Sequence, residues 1–210
     1  MEDGVIMKRL VFVIAPLLFV LTALVTLTGC SQSSAPQANP VASASASNSA
    51  TSSSTTSAIY TVPQSCTHTT ILAAIKPVIK NAVFVDTKWQ PAAGTELADF
   101  LNNKGIACSF GDAPAGIGVT VKWVSNAADL FTKREAEWTG AGHSKVDLAH
   151  VDESAAYFLF KPVGGKQEFQ VWELNFLING TWIAINASYL QDLASATPLI
   201  NAALESALVK

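Results

Sequence analysis

Few side chains in this sequence have the types and spacing that chemistry needs, and most candidates fail on geometry alone. Gly164-Gly165-Lys166 joins a glycine pair to a lysine, as phosphate-binding loops do. It lacks the spaced first glycine, the Ser/Thr and the following helix, and it reads instead as a hairpin turn between two strands. His143, Asp147 and His150 carry the imidazole and carboxylate groups that bind zinc. In the strand expected over 144–152, residues an odd number apart point to opposite faces, so His143 and His150 diverge. The adjacent acids Asp152 and Glu153 diverge for the same reason and do not form a paired-carboxylate site. No Gly-x-Ser-x-Gly elbow is present for a hydrolase. No catalytic residue, metal or cofactor is therefore expected, and the remaining chemistry belongs to three cysteines, Cys30, Cys66 and Cys108.

Cys30 stands at the end of a leader. Met7-Lys8-Arg9 supplies positive charge, and Leu10 to Leu27 is an almost unbroken apolar run. The charges lie on the side that stays in the cytoplasm during export. Glu2 and Asp3 are out of place in such a segment, so translation is expected to start at Met7. The run is near the length that spans a bilayer, but Pro16, the small pair Thr28-Gly29 and the polar stretch after Cys30 favour cleavage. Leu27-Thr28-Gly29-Cys30 resembles the lipobox read by lipoprotein signal peptidase. That resemblance implies cleavage before Cys30 and a diacylglycerol thioether on its sulfur. Two or three acyl chains at about 0.8 kcal/mol per buried methylene would make the attachment long-lived.

Residues 1–29 thus read as a signal peptide and 30–59 as a lipidated cysteine with its tether. The tether is mostly Ser, Ala, Thr, Asn, Gln and Pro with no charged residue, and such a composition cannot offset the entropy of ordering. As a flexible coil of about 35 residues it would hold the following domain roughly 30 to 35 Å from the lipid. With Cys30 occupied, Cys66 and Cys108 remain as an even pair in an oxidising compartment, where a disulfide is expected.

Residues 60–210 are the size of one domain able to bury its own core. The chain's formal net charge is -3, and Arg134 is its only arginine after Arg9; a nucleic-acid surface needs clustered Lys/Arg, so no nucleic-acid partner is expected. Thr70 can cap a helix that Pro77 ends, and Thr95 can cap another running to Asn103 with Gly105 as the stop. Ile106 to Phe110 and Ile117 to Val124 read as strands, with a helix opened by Ser125-Asn126 and ended by Gly140 and Gly142. Strands are expected over Ser144 to Asp152 and Ala155 to Phe160, and a closing helix with Pro198 in its first turn.

Asn179-Gly180 between two apolar runs is the strongest local signal, because both central residues of a type I′ turn need positive φ. That turn pairs Phe176 with Ile183, Leu174 with Ile185 and Trp172 with Ala187 on one apolar face. Leu177 with Trp182, Asn175 with Ala184 and Glu173 with Asn186 take the other face. Read as the outward face, it makes Leu177 and Trp182 a candidate contact surface. The other tryptophans, Trp89, Trp123, Trp138 and Trp172, read as core or cap residues. The fold class is α+β: a twisted antiparallel sheet, helices mainly on one face, and one disulfide.

The lipobox, the tether and a cysteine opening a helix are followed by a Gly-x-x-Cys-x-Phe strand (Gly105, Cys108, Phe110) and a Val-x-Val-x-Trp strand (Val119, Val121, Trp123). Together with the Ala/Leu-rich closing helix, this layout resembles small actinobacterial cell-envelope lipoproteins. The resemblance implies a location and a fold rather than a reaction: a lipid anchor on the extracytoplasmic face of the cell membrane. A non-enzymatic binding or interaction module is the expected function, with an envelope lipid, glycan or protein as partner. A sensor or accessory subunit of a membrane complex and an envelope enzyme are the alternatives. Intact-mass analysis of the native protein should find Cys30 at the N-terminus, carrying acyl chains. A native protein with its leader retained and the Cys30 thiol free would contradict the anchor.

Overall fold

Apolar residues recur at every second position in 106–110, 117–123, 172–178 and 183–187, which commits these segments to strands with two distinct faces. The computed structural model describes residues 58–163 and 169–210. The leader, Cys30, the tether up to residue 57 and the turn at Gly164-Gly165-Lys166 lie outside the described residues. Among the described residues, seven strands form one antiparallel sheet. They are β1 (Val83–Val85), β2 (Ile106–Asp112), β3 (Ile117–Val124), β4 (Ser144–Lys145), β5 (Ala155–Val163), β6 (Phe169–Ile178) and β7 (Thr181–Ala187). Their spatial order is β1-β2-β3-β7-β6-β5-β4. The helices are α1 (Ile71–Ile75), α2 (Glu96–Asn102), α3 (Ala128–Ala141) and α4 (Thr197–Ala207). No described helix is long and apolar enough to cross a membrane.

The hairpin turn has the expected geometry, with φ of 46° at Asn179 and 76° at Gly180. The register follows from it: Leu177 opposes Trp182, Phe176 opposes Ile183, Asn175 opposes Ala184, Leu174 opposes Ile185 and Glu173 opposes Asn186. α1 stops at Ile75, two residues before Pro77, because proline has no amide to continue the helical hydrogen bonds. Thr95 caps α2 by accepting a hydrogen bond from the Ala98 amide at 3.3 Å.

One face of the sheet carries Val121, Trp123, Ile183, Ile185, Leu174 and Phe176. α1 and α4 close it with Ile71, Ile75, Leu199, Ile200 and Ala203. Cys66 and Cys108 are bonded, with sulfurs 2.11 Å and Cα atoms 5.3 Å apart, so the turn leading into α1 is tied to β2. The α+β class, the antiparallel sheet and the disulfide are those expected.

Two expectations need correction. Helices do not gather mainly on one face: α2 and α3 sit on the other, where Phe100, Phe131 and Trp138 surround Trp182. An α3 stripe of Phe131 and Trp138 needs an apolar surface to cover, and the sheet offers it there. The segment 144–152 is a strand only at Ser144–Lys145, because Leu148 turns into the core and His150 takes a left-handed φ of 66°.

The Cys66–Cys108 bridge links positions 42 apart in sequence. On the chain-entropy model a loop of that length stabilises by up to about 4 kcal/mol. Replacing both cysteines by serine should lower the urea midpoint by a corresponding amount under oxidising conditions. An unchanged midpoint would show that the bridge restrains little.

Candidate functional site

The second sheet face divides into a covered half and an open half, and the register sets the line between them. One row of neighbours across the strands runs Ala107, Lys122, Ala184, Asn175. All four are buried beneath or beside α2 and α3. The next row runs Ser109, Thr120, Asn186, Glu173. All four are half-buried. Among the described residues no helix covers this row, and a cavity of about 480 Å³ lies over it, bordered also by Gln170, Ser188 and Thr87.

The floor is shallow where β2 and β3 meet because Gly111 opposes Gly118. A Cβ at Gly118 would lie 2.6 Å from the Phe110 carbonyl oxygen and one at Gly111 would lie 2.4 Å from that of Ile117. Side chains are excluded there by close backbone approach. Ser109 and Thr120 share a hydrogen bond of 2.9 Å between their hydroxyls, and the Ser188 hydroxyl accepts from the Gly118 amide at 2.9 Å.

Ionic groups line the boundary. Lys122, with its side chain 8 % exposed, pairs with Glu96 at 2.5 Å and lies over the Phe100 ring. The other Glu96 oxygen accepts from the Trp138 indole at 3.1 Å. His143 Nε2 meets Glu173 Oε2 at 3.2 Å, while His143 Nδ1 meets the Trp138 carbonyl oxygen at 3.1 Å. The end of α3 sets this position. Gly142 has φ of 96° and its amide donates to Thr139 O, while the His143 amide donates to Trp138 O. This is a Schellman motif, which needs a left-handed residue after the helix. It seats the imidazole against the last turn, facing β6.

The His143 side chain is 3 % exposed and both its nitrogens have acceptors. It therefore positions Glu173 and has no ring nitrogen free to exchange a proton with a bound molecule. The hydrogen bond from His143 holds the Glu173 carboxyl below the usual carboxylate range. Burial opposes this, and the charges of His143 and Lys122 and a hydrogen bond from Asn186 add to it. Glu173 is thus an anion that accepts hydrogen bonds and presents 33 % of its side chain to the groove.

The candidate contact surface expected from sequence is not on the outside. Trp182 is 0 % exposed and Leu177 is 9 % exposed. The Trp182 ring centroid lies 4.2 Å from that of Phe100, 5.4 Å from Trp138 and 5.8 Å from Phe131. Its indole donates to Asn175 Oδ1 at 3.0 Å. The pair is off the apolar core as the register requires, but two helices cover it. His143 and His150 do diverge, one buried and one exposed, although a turn rather than strand alternation separates them. No group of three or more metal-ligating side chains occurs among the described residues.

Sequence reasoning missed the row Ser109, Thr120, Asn186 and Glu173 as a site. Its signal was present: a polar residue at the outward position of each central strand, with Glu173 opposite Asn186 in the hairpin register. The chain matches no protein-family model, and no curated protein is similar to it in sequence.

Because the Glu173 carboxyl is held low in the folded state, the native protein binds fewer protons than the unfolded chain in the acid range. The stabilisation is then full above the unfolded carboxyl value and is lost as pH falls through the folded one. The urea midpoint should drop between about pH 5 and about pH 3, and Glu173→Gln should make that drop shallower. An identical slope in the variant would show that the His143–Glu173 pair is not linked to folding.

Proposed function

We propose that this chain is a lipoprotein anchored through Cys30 on the extracytoplasmic face of the membrane, and that its domain is a non-enzymatic binding module. Its ligand sits in the groove over Ser109, Thr120, Asn186 and Glu173. The observation that carries this reading is the uncovered half of the second sheet face, where a polar row and a cavity of about 480 Å³ coincide. Cavities of that size suit small ligands. The polar groups around it are already bonded to one another, which fixes their directions before a ligand arrives. The one histidine nearby is occupied on both nitrogens, which favours binding over a reaction.

The described chain begins at the end of the β6–β7 hairpin away from the groove. Ala58 O accepts from Asn179 Nδ2 at 2.7 Å and Tyr60 O accepts from Thr181 Oγ1 at 3.0 Å. The described chain thus enters at the tip of the β6–β7 hairpin. Ser188 and the groove lie seven residues further along β7, about 23 Å away at the rise of a strand.

Native mass spectrometry of the mature protein released gently from its own membranes should show a non-covalent mass excess. That excess should disappear in Thr120→Trp, which fills the groove, and persist in Val78→Trp at an exposed site. A protein without bound mass, or bound mass that survives Thr120→Trp, would contradict the reading.

A further inference from the structure

The groove presents one charged group. Among the described residues that line it, Glu173 is the single ionisable side chain; the others are Ser, Thr, Asn, Gln, Gly and apolar residues. His143 lies behind Glu173 with its side chain 3 % exposed, and Lys122 is buried and taken by Glu96 at 2.5 Å. His143 engages Oε2 of Glu173, and the carboxylate keeps further capacity to accept. An anionic ligand would meet a carboxylate, with no basic side chain among the described residues that line the groove. A neutral polyol would gain only ordinary hydrogen bonds, whereas an ammonium gains charge-assisted ones, which are roughly twice as strong.

We infer that the groove recognises a ligand bearing a protonated amine, with the ammonium on the Glu173 carboxylate and its polar body against the hydroxyls of Ser109, Thr120 and Ser188. This inference rests on the groove being the binding site. Burial of the ionic cluster strengthens it, because a carboxylate shielded from water on one side interacts more strongly with a cation. The carboxyl is also held below the usual carboxylate range. An ammonium has three donors to satisfy, and a carboxylate oxygen beside hydroxyls that can accept provides for them.

The test is an NMR titration of the full mature chain in detergent with glucosamine, N-acetylglucosamine and glucose. The three share a ring, and only the first carries a cationic amine. Glucosamine should shift the amide signals of Ser109, Thr120 and Asn186, binding about tenfold or more tightly than either neutral sugar. Glu173→Gln should weaken glucosamine by about tenfold or more and leave the neutral sugars unchanged. Asn186→Asp, which adds a carboxylate beside Glu173, should tighten it and decides the matter if Glu173→Gln does not fold. Equal binding of the three sugars at these amides would overturn the ammonium inference and leave the groove standing as a polyol site. If none of the three moves these amides, the inference is also overturned, and the mass excess lost in Thr120→Trp decides separately whether the groove binds anything.

Discussion

The Asn179-Gly180 turn is the constraint from which the rest of the domain follows. Both residues hold positive φ, so the hairpin closes in two residues and the register of β6 against β7 has one solution. Because side chains alternate strictly along a strand, that register assigns every residue of the central sheet to a face. A slip by one position would bury Glu173 and Asn186 in the apolar core and expose Ile183 and Ile185. The two faces then call for different cover. The apolar one receives α1 and α4, locked by the Cys66–Cys108 bond. The mixed one receives α2 and α3 where Trp182 offers a ring to clasp, and remains open where it presents polar side chains.

Trp182 explains why the cover stops where it does. Its contacts with Phe100, Phe131 and Trp138 are aromatic pairs at favourable separations, each worth about 0.5–1.5 kcal/mol beyond area burial. Beyond that ring the row of Ser109, Thr120, Asn186 and Glu173 gives an α-helix nothing apolar to bury. The junction is sealed by two pairs, Lys122 with Glu96 and His143 with Glu173. Unpaired, the Lys122 charge would be expensive in that buried position. The same economy holds for all five tryptophans. The indoles of Trp89, Trp123 and Trp172 donate to the carbonyl oxygens of Ala107, Ala203 and Asp192, and those of Trp138 and Trp182 to Glu96 and Asn175. Among the described residues no buried side-chain nitrogen or oxygen lacks a partner.

Much of this was legible in the sequence wherever one local rule decided the outcome. The hairpin register, the span Ile117–Val124, the cap at Thr95 and the stop at Gly142 each depend on a few adjacent residues. The disulfide was legible through counting. What could not be read was which helix covers which face. Leu177 and Trp182 were correctly assigned to the mixed face, but burial there depends on α2 and α3, which end 75 and 36 residues before Leu177. The His143–Glu173 pair was hidden for a related reason: it forms between a helix end and a strand 30 residues apart. The segment 144–152 misled because its apolar residues suggest alternation, while Leu148 reaches the core from a turn.

The division of one sheet face into a clasped half and an open half is the claim on which the functional reading stands. Paramagnetic broadening by a soluble, uncharged gadolinium chelate tests it most directly on the folded protein. The account predicts strong broadening of the Ser109, Thr120 and Asn186 signals and a sharp Trp182 indole N–H signal. A broadened Trp182 indole beside sharp Ser109, Thr120 and Asn186 signals would contradict it.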